Sequence, residues 1–162
     1  MKSQYDLIWS KSKPPAHYKS VFSPKILNLY KKKGVRKILD LGSGDGTHLC
    51  YLGKQGFEVY GIEISEKGIK KTLEKIKNFN GLKVLKRDIF LPLPFDNGFF
   101  DAVFSFQALN HNRLLSICNV FLECNRVLKE GGIFSVKVAD RESYQLKKID
   151  NETYFDVEFN ET

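Results

Sequence analysis

Five short runs of β-branched or aliphatic residues recur along the chain, and the stretches between them carry helical rather than strand spacing. The runs are 36–41 (RKILDL), 57–62 (FEVYGI), 82–87 (LKVLKR), 100–106 (FDAVFSF) and 132–139 (GIFSVKVA). A helix is predicted over 47–55, directly after the first run. Another over 65–78 puts Ile69, Leu73 and Ile76 on one face, with Ser65 as its N-cap. A third over 112–129 has Leu115, Val120, Phe121, Cys124 and Leu128 as an apolar stripe, and Gly131-Gly132 is expected to stop it. Ahead of the first strand, 24–33 reads as a helix with Ser23 as cap and Pro24 at the first helical position. Strand–helix–strand repetition with short connections predicts an α/β fold, a three-layer doubly wound parallel sheet with helices on both faces. The exception is 89–98, whose Pro92, Pro94 and Pro-Phe-Asp-Asn-Gly turn predict a loop crossing instead of a helix. No internal repeat, low-complexity segment or linker divides the sequence, so a single domain over 1–162 is expected.

Composition removes several classes. With 42% hydrophobic and 28% charged residues, and 13 Phe and 7 Tyr to fill a core, the chain is neither disordered nor fibrous. No apolar run reaches the ~18 residues that cross a bilayer, and MKSQYDLIWSKSK lacks the apolar stretch of a secretory signal. Cys50, Cys118 and Cys124 form no Cys-x-x-Cys pair, so neither a disulfide framework nor a zinc site is expected, and a cytoplasmic setting fits free thiols. No metal constellation is visible either. The net charge of +7 is uneven. Residues 150–162 hold five acids and no Lys or Arg, which leaves +12 on the rest. Such a balance suits a polyanion. The lysines are scattered, however, and no aromatic interleaving marks a base-stacking groove, so nucleic acid is a possible partner that the sequence does not favour.

The chemistry concentrates at the end of the first strand, in Asp40-Leu41-Gly42-Ser43-Gly44-Asp45-Gly46-Thr47. Alternating glycines between an apolar strand and a helix let the backbone turn sharply and approach a ligand without a Cβ clash. The helix that follows is expected to offer free N–H groups and a positive dipole end to an anion. A dinucleotide fingerprint needs its third glycine one position later, where Thr47 stands, so the spacing is wrong for a typical NAD site. Glu63 ends the second strand 21 residues after Gly42, where a carboxylate can accept hydrogen bonds from both hydroxyls of a ribose.

In these residues the sequence resembles the class I S-adenosylmethionine-dependent methyltransferases, whose first motif reads acid-x-Gly-x-Gly-x-Gly, here Asp40, Gly42, Gly44 and Gly46. Further matches follow in order: Glu63, then Asp88-Ile89 after the third strand, Pro92 to Phe95, Phe100 to Val103, and Val127-Leu128-Lys129-Glu130-Gly131-Gly132. Glu130 replaces the family's usual proline. Softer matches at the Ile-Trp-Ser opening, at 55–62 and at Phe106-Gln107 resemble small methyltransferases of the tellurite-resistance type. The resemblance implies a Rossmann-like sheet in the order 3-2-1-4-5, and S-adenosylmethionine as cofactor with S-adenosylhomocysteine as product. It implies cofactor contacts from Asp40, Gly42, Ser43, Gly44, Gly46, Glu63, Ile64, Asp88, Ile89 and Gln107. In that assignment Glu63 takes the ribose, Asp88 the adenine amino group and Ile89 the ring.

Methyl transfer from a sulfonium needs alignment above all, and a base only if the acceptor arrives protonated. Acceptor-side candidates are Tyr18 in an N-terminal lid (1–34, with Trp9), and Asn110 and His111 after strand four. His111 is a candidate base near neutral pH; alternatively Asn110 or Asn112 caps the next helix and His111 faces solvent. His48 reads as a packing or surface residue. Strand four lacks the Asp/Asn-Pro-Pro-aromatic motif, which leaves a small-molecule acceptor by elimination. The family's sheet has seven strands, whereas only five are readable over the 35–139 core. The acidic tail 140–162 has one alternating segment, 153–159, that suits an edge strand. A shortened form with strands 6 and 7 missing or reduced is therefore expected. Its open edge is available to the tail or to a second copy of the chain. The competing readings are a catalytically incomplete module with this fold, an NAD-dependent oxidoreductase and a nucleic-acid binder.

Overall fold

The structure, a computed structural model, describes residues 6, 10, 23–109 and 113–137. Helix α1 (Pro24–Lys32) leads into β1 (Lys37–Leu41), α2 (Thr47–Lys54), β2 (Glu58–Glu63), α3 (Glu66–Ile76), β3 (Leu82–Lys86), β4 (Phe100–Phe106), α4 (Leu114–Val127) and β5 (Leu128–Lys137). All neighbouring strands pair in parallel, in the order β3-β2-β1-β4-β5. Strand order therefore reverses at β1, whose carboxyl end opens onto the crevice where ligands bind in open α/β sheets.

Side-chain alternation along β1 divides the core. Ile38 joins Leu27 and Tyr30 of α1, Leu49 and Leu52 of α2, and Ile76 of α3 on one face. Leu39 and Leu41 join Val103, Val120, Cys124 and Val127 on the other, under α4 and the loop 88–99. That loop replaces a helix, as its prolines predict, and its backbone groups are satisfied from α4. Arg126 donates to Leu93 O (2.9 Å), Phe95 O (2.7 Å) and Asn97 Oδ1 (3.1 Å), and Glu123 accepts from Leu93 N–H (2.7 Å). The three cysteines are free, and burial pushes the Cys124 thiol up to about 12, so it packs as a neutral group. No helix among the described residues is long and apolar enough to cross a membrane.

Four sequence expectations need correction. In α3 the Ser65 cap forms, accepting from Gly68 N–H at 3.1 Å, but Leu73 is 52% exposed and the buried residues are Gly68, Thr72 and Ile76. The helix turns its small residues, not its leucine, toward the loop that follows β1. In α4 the buried stripe is Val120, Cys124 and Val127, while Leu115 (74% exposed) and Phe121 face outward. Nor do Gly131 and Gly132 stop that helix. It ends at Val127, and Leu128 already pairs with Phe100 in β5. The two glycines lie in an irregularity where the register jumps from Phe100–Leu128 to Ala102–Ile133. Ser23 precedes α1 without a side-chain cap. Trp9, Tyr18, Asn110, His111, Asn112 and the tail 140–162 with its segment 153–159 lie outside the described residues.

Candidate functional site

The loop after β1 gets its shape from its glycines. Gly42, Gly44 and Gly46 have φ of +74°, +58° and +74°, in the left-handed region that favours glycine. A Cβ on Gly42 would stand 2.3 Å from Ala108 Cβ, and one on Gly46 would stand 2.7 Å from Thr72 Cγ2. The loop is thus held between the segment leaving β4 and the face of α3.

Its amides are mostly spent within the protein. Gly42 and Ser43 N–H both donate to Ile62 O (2.9 Å each), and Gly46 N–H donates to Ser43 O (2.9 Å). The Thr47 N–H, expected free at the start of α2, donates to Asp45 Oδ1 at 3.2 Å, and the Thr47 hydroxyl donates to the same oxygen at 2.7 Å. A loop carboxylate therefore already occupies part of the helix N-terminus, where a negative charge is favoured. The loop offers a ligand room for close approach more than a ring of donors.

Glu63 closes the loop from below. Its Oε2 accepts from Gly44 N–H (2.8 Å) and its Oε1 from Ser65 N–H (2.7 Å), and the residue is only 5% exposed. Burial pushes its carboxyl up, while the backbone donors at Ser65, Gly44 and Ile64 pull it down. Each oxygen keeps a second lone pair, which is what a ribose hydroxyl would use.

Asp40 is more extreme. It is 1% exposed, its Oδ2 has no hydrogen-bond partner, and burial with the nearby Glu63 charge raises its carboxyl to about 8. Asp40 is thus largely protonated at neutral pH. Tyr30, raised to about 12 by burial, donates to Ser135 Oγ at 3.1 Å on the same side of the sheet. The Ser43 hydroxyl is also buried without a partner. Two orphaned polar atoms beside a glycine cradle fit a site that a polar ligand completes.

The other sequence candidates gather around the strand ends. Asp88 Oδ1 accepts from Phe90 N–H at 2.9 Å and so shapes the turn after β3. Ile89 is buried in the core cluster under α4, and Ile64 is half-buried beside Glu63. Gln107 stands out with φ +56°, a left-handed conformation that costs a non-glycine residue about 1–2 kcal/mol. Its N–H donates to Lys137 O at 2.6 Å, which ties the exit of β4 to the end of β5. His48 packs between Phe104 and Phe106, with ring centroids 5.4 and 4.7 Å away.

Sequence reasoning missed two contributors. One is the face of α3, whose Thr72 hydroxyl donates to Gly44 O at 3.1 Å and whose Lys75 ammonium meets Asp45 Oδ2 at 2.7 Å. The other is Asp6, whose Oδ1 accepts from the Ser65 hydroxyl at 2.6 Å and so brings a residue from ahead of α1 to the end of β2. Helical spacing of small and charged residues carried a hint of the first; nothing near Asp6 in the sequence pointed to the second.

Residues 39–136 match the family described as methyltransferase domain. An uncharacterized methyltransferase of Synechocystis is 32% identical over 101 residues, which is 62% of this chain and 46% of that protein. A sterol 24-C-methyltransferase of Gibberella zeae is 36% identical over 104 residues, 62% of this chain and 27% of that protein. Among solved structures, the PH0226 protein of Pyrococcus horikoshii superposes with a TM-score of 0.64 at 34% identity, covering 72% of this chain and 52% of that one. The chain thus spans less than half the length of these two curated relatives. Since the matched stretch runs from within β1 to within β5 and takes in the glycine loop, Glu63 and Asp88, the chain belongs to the methyltransferase-domain family of class I proteins, whose cofactor is S-adenosylmethionine.

Proposed function

We propose that the crevice above β1 and β2 binds S-adenosylmethionine and that the protein transfers the methyl group to a small-molecule acceptor. When bound, the cofactor supplies an electrophilic methyl group whose leaving group is a neutral thioether. The chain's own residues have to hold and orient. Gly42, Gly44 and Gly46 admit the ligand close to the backbone. Glu63, fixed by Gly44 and Ser65, directs its remaining lone pairs to a ribose diol. Asp88 is assigned to the adenine amino group and Ile89 to the ring, while Ala108 against Gly42 keeps the β4 exit tied to the cradle. The relative named for sterol methylation supports a small-molecule acceptor.

One observation carries the reading: left-handed glycines form a cradle at the carboxyl end of β1, directly over the buried Glu63 carboxylate. Calorimetric titration with S-adenosylmethionine and S-adenosylhomocysteine, with NADH as control, tests it. Saturable binding of the first two alone is expected. Binding of NADH alone, or of none of the three, overturns the reading.

A further inference from the structure

We infer that α3 is the positioning element of the glycine loop and that Lys75 is its key positioning residue, acting through Asp45 and touching no ligand itself. The inference rests on the cofactor reading above for its functional consequence. Its structural content stands without it.

Gly68, Thr72 and Lys75 are spaced by four and three residues, which puts them on one face of α3. Each meets a different part of the loop. Gly68 lets the helix come close, because a Cβ there would stand 2.8 Å from Gly44 O. Thr72, fully buried, donates its hydroxyl to that same carbonyl at 3.1 Å. Gly44 is therefore held from both sides, its C=O by Thr72 and its N–H by Glu63, which fixes the tilt of the adjoining peptide planes.

Lys75 holds the next residue along. Its ammonium lies 2.7 Å from Asp45 Oδ2 and 2.9 Å from Thr47 Oγ1, so one cation bridges the loop and the first residue of α2. Asp45 in turn accepts the Thr47 N–H. Burial pushes the Asp45 carboxyl up, but the hydrogen bonds from Lys75 and Thr47 outweigh it and hold it below the usual carboxylate range. The ammonium is 38% exposed at the side-chain level and the carboxylate 16%, so the pair is partly shielded from screening. Removing Lys75 leaves a mostly buried carboxylate without its cation, next to backbone that has no Cβ atoms to stiffen it.

The test uses the full chain with Lys75→Met and Lys75→Arg. In the ligand-free protein, amide hydrogen exchange at residues 44–47 is expected to speed up on the order of tenfold in Lys75→Met, which loses the charge-assisted hydrogen bonds to Asp45 and Thr47, and to stay near wild type in Lys75→Arg. Exchange in β1 and β4 serves as the internal control. S-adenosylhomocysteine affinity, measured by calorimetry, is expected to fall by a similar factor in Lys75→Met and to be largely restored in Lys75→Arg. Unchanged exchange at 44–47 overturns the positioning role. Faster exchange with affinity within twofold of wild type also overturns it, because Lys75 would then stabilise the loop without serving the site. A wild-type chain that binds no S-adenosylhomocysteine removes the cofactor reading, and the exchange arm still decides whether α3 sets the loop.

Discussion

The Glu63 side chain takes the N–H of Gly44 on Oε2 at 2.8 Å and that of Ser65 on Oε1 at 2.7 Å, so one carboxylate joins the glycine loop to the start of α3. In Glu63→Gln, a side-chain amide puts a donor against one of these two donors. The variant is expected to lose about 1–3 kcal/mol of stability, the cost of an unsatisfied buried group, and to bind S-adenosylhomocysteine at least about tenfold more weakly. Glu66→Gln, at an exposed residue paired with Lys86, should leave both unchanged. Urea unfolding and calorimetry on the two variants check this. Undiminished affinity in Glu63→Gln would show that the ribose is held elsewhere.

Much of this arrangement is legible in the sequence because it depends on local chain properties. The alternating apolar runs give the strands, Pro24 and Ser65 mark helix starts, and the register of Gly42, Gly44 and Gly46 announces the loop. Leu73 and Leu115 lie outside the buried stripes of their helices for a tertiary reason. Periodicity counts apolar residues, yet α3 buries the stripe that fits against the loop, and there small size matters more than hydrophobicity. The Gly131-Gly132 pair reads as a helix stop only if the irregular pairing with β4 is unknown. Long-range hydrogen bonds are the hardest to read: the spacing of α3 hints at a face that carries Lys75 but not at its partner Asp45, 30 residues away, and Asp6–Ser65, 59 residues apart, leaves no local signature at all.

Asp40 predicts a pH dependence with a definite sign. Its carboxyl is raised from 3.8 to about 8 by burial and by Glu63, so the fold prefers the protonated form. The contribution to stability is fully present below pH 3.8, falls as pH rises toward about 8, and stays lost above that. Asp40→Asn removes the titration while keeping the shape. Relative to wild type, the variant should gain stability from pH 6 to about pH 8 and level off by pH 9, as read by urea unfolding at each pH. A constant difference across that range would mean that Asp40 is ionised throughout.

Two glycines with similar backbone angles should respond differently to alanine. Gly42 and Gly131 have φ of +74° and +69°, so each substitution incurs the left-handed penalty of about 1–2 kcal/mol. A Cβ at Gly131 meets nothing within 4 Å, whereas one at Gly42 lands 2.3 Å from Ala108 Cβ. Gly131→Ala is expected to cost only the backbone term and to keep S-adenosylhomocysteine affinity. Gly42→Ala should cost more, by the strain of moving the segment after β4, and should weaken binding. Thermal unfolding with parallel calorimetry separates the two. Equal costs would show that the loop yields freely to Ala108.

Arg126 is expected to be the main support of the loop 88–99. Its guanidinium reaches two carbonyls and Asn97 while meeting Glu123 through Nε (2.9 Å) and Nη2 (2.8 Å). A lysine ammonium is a single point on a flexible stem and cannot span these groups together. Arg126→Met leaves the Leu93 and Phe95 carbonyls and the Glu123 carboxylate short of a donor, which should cost about 2 kcal/mol after allowing for partial exposure. Lys in the same place should recover less than half of that. Because the loop covers Leu39, Leu41 and Val103 in place of a helix, its release should also expose Phe95 and Phe99 to chymotrypsin. Cleavage in 91–99 that accelerates in Arg126→Met, with the strands still protected, is the expected pattern. Unchanged cleavage would place the support of the loop in its aromatic contacts, Phe95 against Phe100 at 4.8 Å and Tyr60 against Phe99 at 5.5 Å, instead of in the guanidinium.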